Sequence, residues 1–260
     1  MRRIVAVLAA VLAPAATCAL GADELHGGLH HSVGDYGAGA DTEITSLAFT
    51  AQRETGLWRL RLTVPYLEVT GPGTVIPGIG NVNNTNPRGR GNGAAGSSAS
   101  GTASGLGDLV GSATYALHAG GMSAVDGTVR IKLPTADADQ GLGTGATDVG
   151  FQVDAYHTMD RLTPFVGIGY TFFGSSSFIT LDDAMNYSVG ATYRLDARDS
   201  AGVSMDGRER TSSGSAQQRE LLAYWMRRLA GPWRAQLYFL LGFADGSPDW
   251  GMGATAFYAF

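Results

Sequence analysis

The chain has 260 residues, with 18 Lys and Arg against 23 Asp and Glu, a formal charge of −5 at pH 7, 38 glycines and a single cysteine, Cys18. The acidic balance gives no reason to expect nucleic acid as a partner, and one cysteine excludes a disulfide-stapled scaffold. Past the first residues no stretch approaches the ~20 consecutive apolar residues of a spanning helix, so entry into a membrane would have to use strands.

Arg2 and Arg3 precede the apolar run 4–12, and small residues follow to Gly21. This is the pattern of a secretory signal peptide over 1–21, and its removal would also take Cys18. The mature chain, 22–260, then reads as one all-β unit. His26, His30 and His31 stand in a weak first strand over 24–33; with no Cys or second cluster at ligand spacing beside them, they are read as strand residues, and no metal or cofactor is expected. Leu47, Phe49 and Ala51 alternate with Ser46, Ala48, Thr50 and Gln52. After a turn at 54–56, Trp58, Leu60, Leu62 and Val64 alternate with Arg59, Arg61 and Thr63. Midplane Arg on a lipid face costs ~2–4 kcal/mol, so the two arginines must face water.

The segment 71–107 is rich in Gly, Asn and Ser and poor in packing residues after Ile79. It is read as a long, structureless external loop, since such inserts are uncommon inside compact soluble domains. Arg88 and Arg90 are taken as solvated loop charges, and Asn83-Asn-Thr85 as a chance sequon. Alternating segments follow at 108–118, 128–133, 148–157, 162–173, 185–195 and 201–205. The segment 220–228 is apolar on both parities, which leaves its facing open. A strand at 233–243 precedes the last stretch, in which Trp250, Met252, Ala254, Ala256, Tyr258 and Phe260 share one face. Apolar outward faces with aromatics near both ends mark membrane-barrel strands.

The connections order these segments. Outer-membrane barrels pair short periplasmic turns with longer outer loops in alternation. Counted back from Trp250, the short turns fall at 231–232, 196–198, 159–161 and 119–122, and long polar connections fall between them. An even strand count with both ends in the periplasm requires the weak strand at 24–33. The expectation is a transmembrane antiparallel up-and-down β-barrel of about twelve strands, with ten as the alternative, in a bacterial outer membrane.

Gly107-Asp-Leu109, Arg130-Ile-Lys-Leu-Pro-Thr135, Gly141-Leu-Gly-Thr-Gly145 with Asp148, and Gly167-Ile-Gly-Tyr170 resemble the family of outer-membrane proteins linked to the meta-cleavage pathway of phenol degradation. The resemblance implies a barrel that passes hydrophobic or aromatic compounds, and it carries no catalytic residues. Its C-terminal Tyr258 and Phe260 are similar to the signature by which outer-membrane proteins are inserted.

Arg59, Arg61, Arg130, Lys132, Asp154 and Arg194 share the polar parity of their strands and are the candidate lumen residues. A mostly basic set biases a lumen towards anions, so a passive channel for small hydrophobic or aromatic solutes, anionic ones included, is the leading function. A non-conducting structural or surface-interaction barrel is the alternative; there the same charges would pair and fill the interior. A lipid-modifying enzyme ranks below both, because His118, His157, Asp148 and Ser175 are scattered with no motif joining them. The expected partners are outer-membrane lipid and lipopolysaccharide, the barrel-assembly machinery acting on the last strand, and a small-molecule solute.

Overall fold

A computed structural model describes residues 23–90 and 100–260. The signal-peptide reading and Cys18 lie outside the described residues. The chain forms β1 (Glu24–Gly34), β2 (Thr42–Thr55), β3 (Trp58–Pro72), β4 (Val75–Ile76), β5 (Gly80–Asn81), β6 (Ser100–Leu106), β7 (Leu109–Gly120) and β8 (Ser123–Leu133). It continues with β9 (Asp148–His157), β10 (Leu162–Phe172), β11 (Ala184–Arg194), β12 (Asp199–Arg208), β13 (Gln218–Arg228), β14 (Trp233–Gly242) and β15 (Trp250–Ala259). All pairings are antiparallel, and the sheet closes on itself because β1 bonds to both β2 and β15 while β3 bonds to both β2 and β7. β6 and β7 share one position in the wall: β3 pairs with β6 over Tyr66–Pro72 and with β7 over Trp58–Thr63. The result is a closed twelve-position barrel, which leaves no edge whose backbone groups would go unpaired in hydrocarbon.

The hand-over from β6 to β7 breaks the ladder, and side chains fill the gap. The Thr135 hydroxyl donates to the Gly107 carbonyl at 3.0 Å and accepts from the Leu109 amide at 2.9 Å. The Asp108 carboxylate accepts from the Ala136 amide at 3.0 Å. These bonds meet the demand that buried backbone groups be paired, and they tie the β8–β9 connection onto the wall.

Facing follows the alternation. Val129, Ile131, Phe151, Val153, Val166, Ile168, Val189, Leu237 and Phe239 are all exposed on the outer surface. A soluble monomer does not carry a continuous apolar belt of this kind; lipid covers it. The opposite parity carries hydroxyl pairs such as Thr50–Thr63 at 2.8 Å and Thr114–Thr128 at 2.9 Å. On β13 the Tyr224 hydroxyl bonds to Thr192 across the interior, so Leu222 and Tyr224 face inward and Leu221 and Trp225 outward. This settles the facing that the apolar run at 220–228 leaves open.

Both ends of the described chain lie at one rim, where the Phe260 amide donates to the Asp23 carbonyl at 3.0 Å. The short connections, including Gly56–Leu57 and Gly121–Met122, lie at that periplasmic rim, and the longer ones at the outer mouth. Gly121 has φ of 60°, a left-handed turn conformation that glycine adopts without strain.

The connection after β3 differs from the expected structureless loop over 71–107. β3 runs to Pro72, β6 begins at Ser100, and segment 73–90 folds over the outer mouth with β4 and β5 as a miniature hairpin. Ile76, Ile79 and Val82 are buried against Ile179 and Leu181 of the β10–β11 connection. Val75 joins Tyr36, Val69, Ala103 and Leu142 in a second buried cluster. Arg90, expected to be solvated, is 6% exposed. Sparse apolar residues suffice because they are gathered into two clusters with residues of other outer connections.

Candidate functional site in the barrel lumen

Inside the wall is a cavity of about 700 Å³. Of the lumen candidates, Arg59, Arg61, Arg130, Lys132 and Asp154 line it. Arg194 does not. It stands at the periplasmic rim in a separate cavity of about 930 Å³ with Arg161, Arg198 and Arg228, and donates to the Asp160 carbonyl at 3.0 Å.

The cavity is not mostly basic. Asp108, Asp126, Asp148, Asp206 and Glu220 also line it, as does Arg208, giving five cationic and six anionic side chains among the described residues. Asp126 could have been found by parity, since it shares the face of Arg130. Asp206 and Arg208 are hidden in sequence because polar residues at the end of β12 merge with the polar connection that follows.

Pairing divides these charges into two kinds. The Lys132 ammonium lies 3.1 Å from Asp108 and 2.8 Å from Asp148, and donates to the Thr144 hydroxyl at 2.7 Å. Arg59 meets Glu54 at 3.1 Å and Asp126 at 3.9 Å. Arg61 donates to the Gln52 side-chain oxygen at 2.7 Å, and Asp154 accepts from the Gln152 amide at 2.7 Å. Among the described residues no carboxylate lies within 4.0 Å of Arg61, Arg130 or Arg208.

The segment 73–90 forms the outer wall of the cavity through Ile76, Pro77, Gly78 and Ile79. Arg208 holds it there, donating to the Gly78 carbonyl at 2.8 Å and the Ile79 carbonyl at 2.6 Å. Three further connections grip its rim. Asn81 donates to the Gly37 carbonyl at 3.1 Å, the Thr85 amide to Phe178 at 3.0 Å, and the Asn86 amide to Asp139 at 2.9 Å. The Asn86 hydrogen bond, and after it Arg88, holds the Asp139 carboxyl below the usual carboxylate range. Arg90 reaches five carbonyls, of Gly71, Pro72, Val75, Gln140 and Gly141, at 2.6–3.4 Å. Burial pushes its guanidinium down to about 10, still charged at neutral pH.

Of the three histidines of β1, His26 and His30 share the inward parity and His31 faces outward, and they do not converge. His30 pairs with the Tyr238 hydroxyl at 2.8 Å inside the barrel, and His31 with Thr45 at 3.0 Å on the outside. His26 sits beside Glu24 and the Phe257 ring near the periplasmic end. Among the described residues no three His, Cys, Asp or Glu side chains gather as a metal site.

A family model described as "Putative MetA-pathway of phenol degradation" matches residues 32–218. The chain belongs to this family. No curated protein matches it. Among solved structures, an outer membrane channel from Pseudomonas putida F1 superposes with a TM-score of 0.69 at 15% identity, over 92% of this chain and 96% of that one. The KdgM porin gives 0.54 at 8%, over 90% and 99%. The translocator domain of the autotransporter NalP from Neisseria meningitidis gives 0.55 at 9%, over 91% and 88%. At these identities the likeness is one of fold, shared by channels, porins and a translocator. The family member described here is a twelve-strand barrel of the bacterial outer membrane.

Proposed function

We propose that the chain is a passive channel for small hydrophobic or aromatic solutes, with Arg59, Arg61, Arg130, Lys132 and Asp154 along the path and Arg194 at its periplasmic exit. One observation carries this reading: a polar-lined cavity inside the wall, closed towards the outside by a segment that belongs to no barrel strand. The family's description supports an aromatic solute. Tyr258 and Phe260 are the insertion signal for the barrel-assembly machinery, and lipid and lipopolysaccharide surround the belt and the outer loops. Catalysis has no part in this reading. His157 meets Ser123 at 2.8 Å on an exposed rim, with no carboxylate within 4.0 Å among the described residues.

The test is planar-bilayer conductance of the purified protein beside a form lacking 73–99. Pro72 and Ser100 are paired across β3 and β6, so a two-residue Asn-Gly turn can join them. Discrete current steps are expected from the full chain, with several-fold larger steps after excision. Silence from both forms would refute conduction. The tight pairing of Lys132 with Asp108 and Asp148 favours the second reading, a non-conducting surface barrel, which that silence would support.

A further inference from the structure

Arg208 is held differently from the paired cations of the lumen. Its two terminal nitrogens each donate to a neutral carbonyl, of Gly78 and of Ile79, and its Nε is buried with no hydrogen-bond partner. A guanidinium is a planar fork matched to a carboxylate, and its bonds to an ionised acceptor are roughly twice as strong as neutral ones. A buried donor left without an acceptor is unfavourable. Arg130 projects into the same cavity, and its charge acts on Arg208.

The surroundings of this pair are amphipathic. Glu220 and Asp148 also act on Arg208, but Asp148 is engaged by Lys132 and by the Gly174 amide at 3.0 Å. Asp206 accepts from the Ser204 hydroxyl at 2.8 Å. With carboxylates this close, a diffuse positive field cannot be what selects a ligand; donor geometry must do so. On the outer side the cavity is apolar, through Ile76, Pro77, Ile79 and Phe173, whose ring centroid lies 5.6 Å from the Arg208 guanidinium carbon.

We propose that Arg208 and Arg130 form a carboxylate-binding site beneath the segment 73–90, the outer cap, and that an aromatic or short alkyl monocarboxylate binds there by taking Arg208 from the Gly78 and Ile79 carbonyls. The apolar body of the ligand packs against Ile76, Ile79 and Phe173. The carboxylate competes with the two carbonyls for the terminal nitrogens, so its binding weakens the hold of Arg208 on the segment 73–90. Acids are therefore bound in preference to neutral compounds of equal size. The site deepens the channel reading by naming its solute class, and rests on the lumen being the solute's path.

Calorimetric titration of the detergent-solubilised barrel separates this idea from conduction. Benzoate is the probe, and benzamide its neutral counterpart of the same shape. Wild type is expected to bind benzoate at least about tenfold more tightly than benzamide, and Arg208→Gln and Arg130→Gln are each expected to lose at least about tenfold in benzoate affinity. Arg130 makes no hydrogen bond to the cap among the described residues, so R130Q reports on the site even if R208Q frees the cap. Equal affinity for the two probes, or undiminished benzoate binding in both variants, overturns the site whatever the bilayer shows. A selective site in a barrel without current steps would leave the site standing and overturn the channel.

Discussion

At the scale of single residues, Arg90 does most to fix the outer mouth. A guanidinium surrounded by carbonyls acts as a hub: five backbone groups from β3, the cap and the β8–β9 connection depend on one side chain. Arg90→Met would leave those carbonyls without a donor, at a cost on the order of 3 kcal/mol. The barrel wall below does not depend on Arg90. Proteinase K should therefore cut the variant within the cap much faster than wild type, while its heat-modifiable band on a gel is retained. Equal cutting of the two proteins would show that the cap is held elsewhere. None of this was legible in the sequence, because an Arg in a Gly/Asn-rich stretch looks solvated. Its partners are backbone oxygens 15 to 51 positions away, and no side-chain pattern announces them.

At the scale of elements, the strands were legible because a membrane wall imposes period two on every one of them. Even the weak β1 followed from counting alone, since an odd wall would have put the termini at opposite rims. Strand ends were less legible. The polar end of β12 and the β6 stretch 100–106 carry no apolar alternation, since they rise to the outer mouth where neither face meets lipid. Glycines in the wall have a specific use: Gly202 and Gly253 lie beneath the inward rings of Tyr224 and Tyr238 on the paired strand. Any Cβ at Gly253 would stand inside contact distance of the Tyr238 ring and displace it from His30. Gly253→Val is expected to lower stability by about 1–3 kcal/mol, read as a lower urea midpoint in lipid. Pairing it with Tyr238→Ala should recover part of the loss; no recovery would mean the ring is not the obstacle.

At the scale of the whole molecule, the lumen was only half legible. Parity placed Arg59, Arg61, Arg130, Lys132 and Asp154 on the water-facing side, but the net field depends on which strands end up across from one another. That is how Asp108 and Asp148, on β8's two flanks, come to quench Lys132. The seam between β1 and β15 has a further consequence. Glu24 pairs with Ala259 and Val33 with Trp250, so the wall is completed by residues more than 200 positions apart. Phe260 itself is 71% exposed and adds one backbone bond, to Asp23, beside its ring contact with Tyr258. Deleting it should cost the finished barrel only about 1 kcal/mol, while greatly reducing the protein found in outer-membrane fractions. An unchanged membrane yield would remove Phe260 from the assembly role. Until those last residues are synthesised, every shorter nascent chain has two unsealed edges that cannot sit in hydrocarbon. Translation and closure are thus ordered in time: the wall has no seam to seal until β15 supplies the partner of β1.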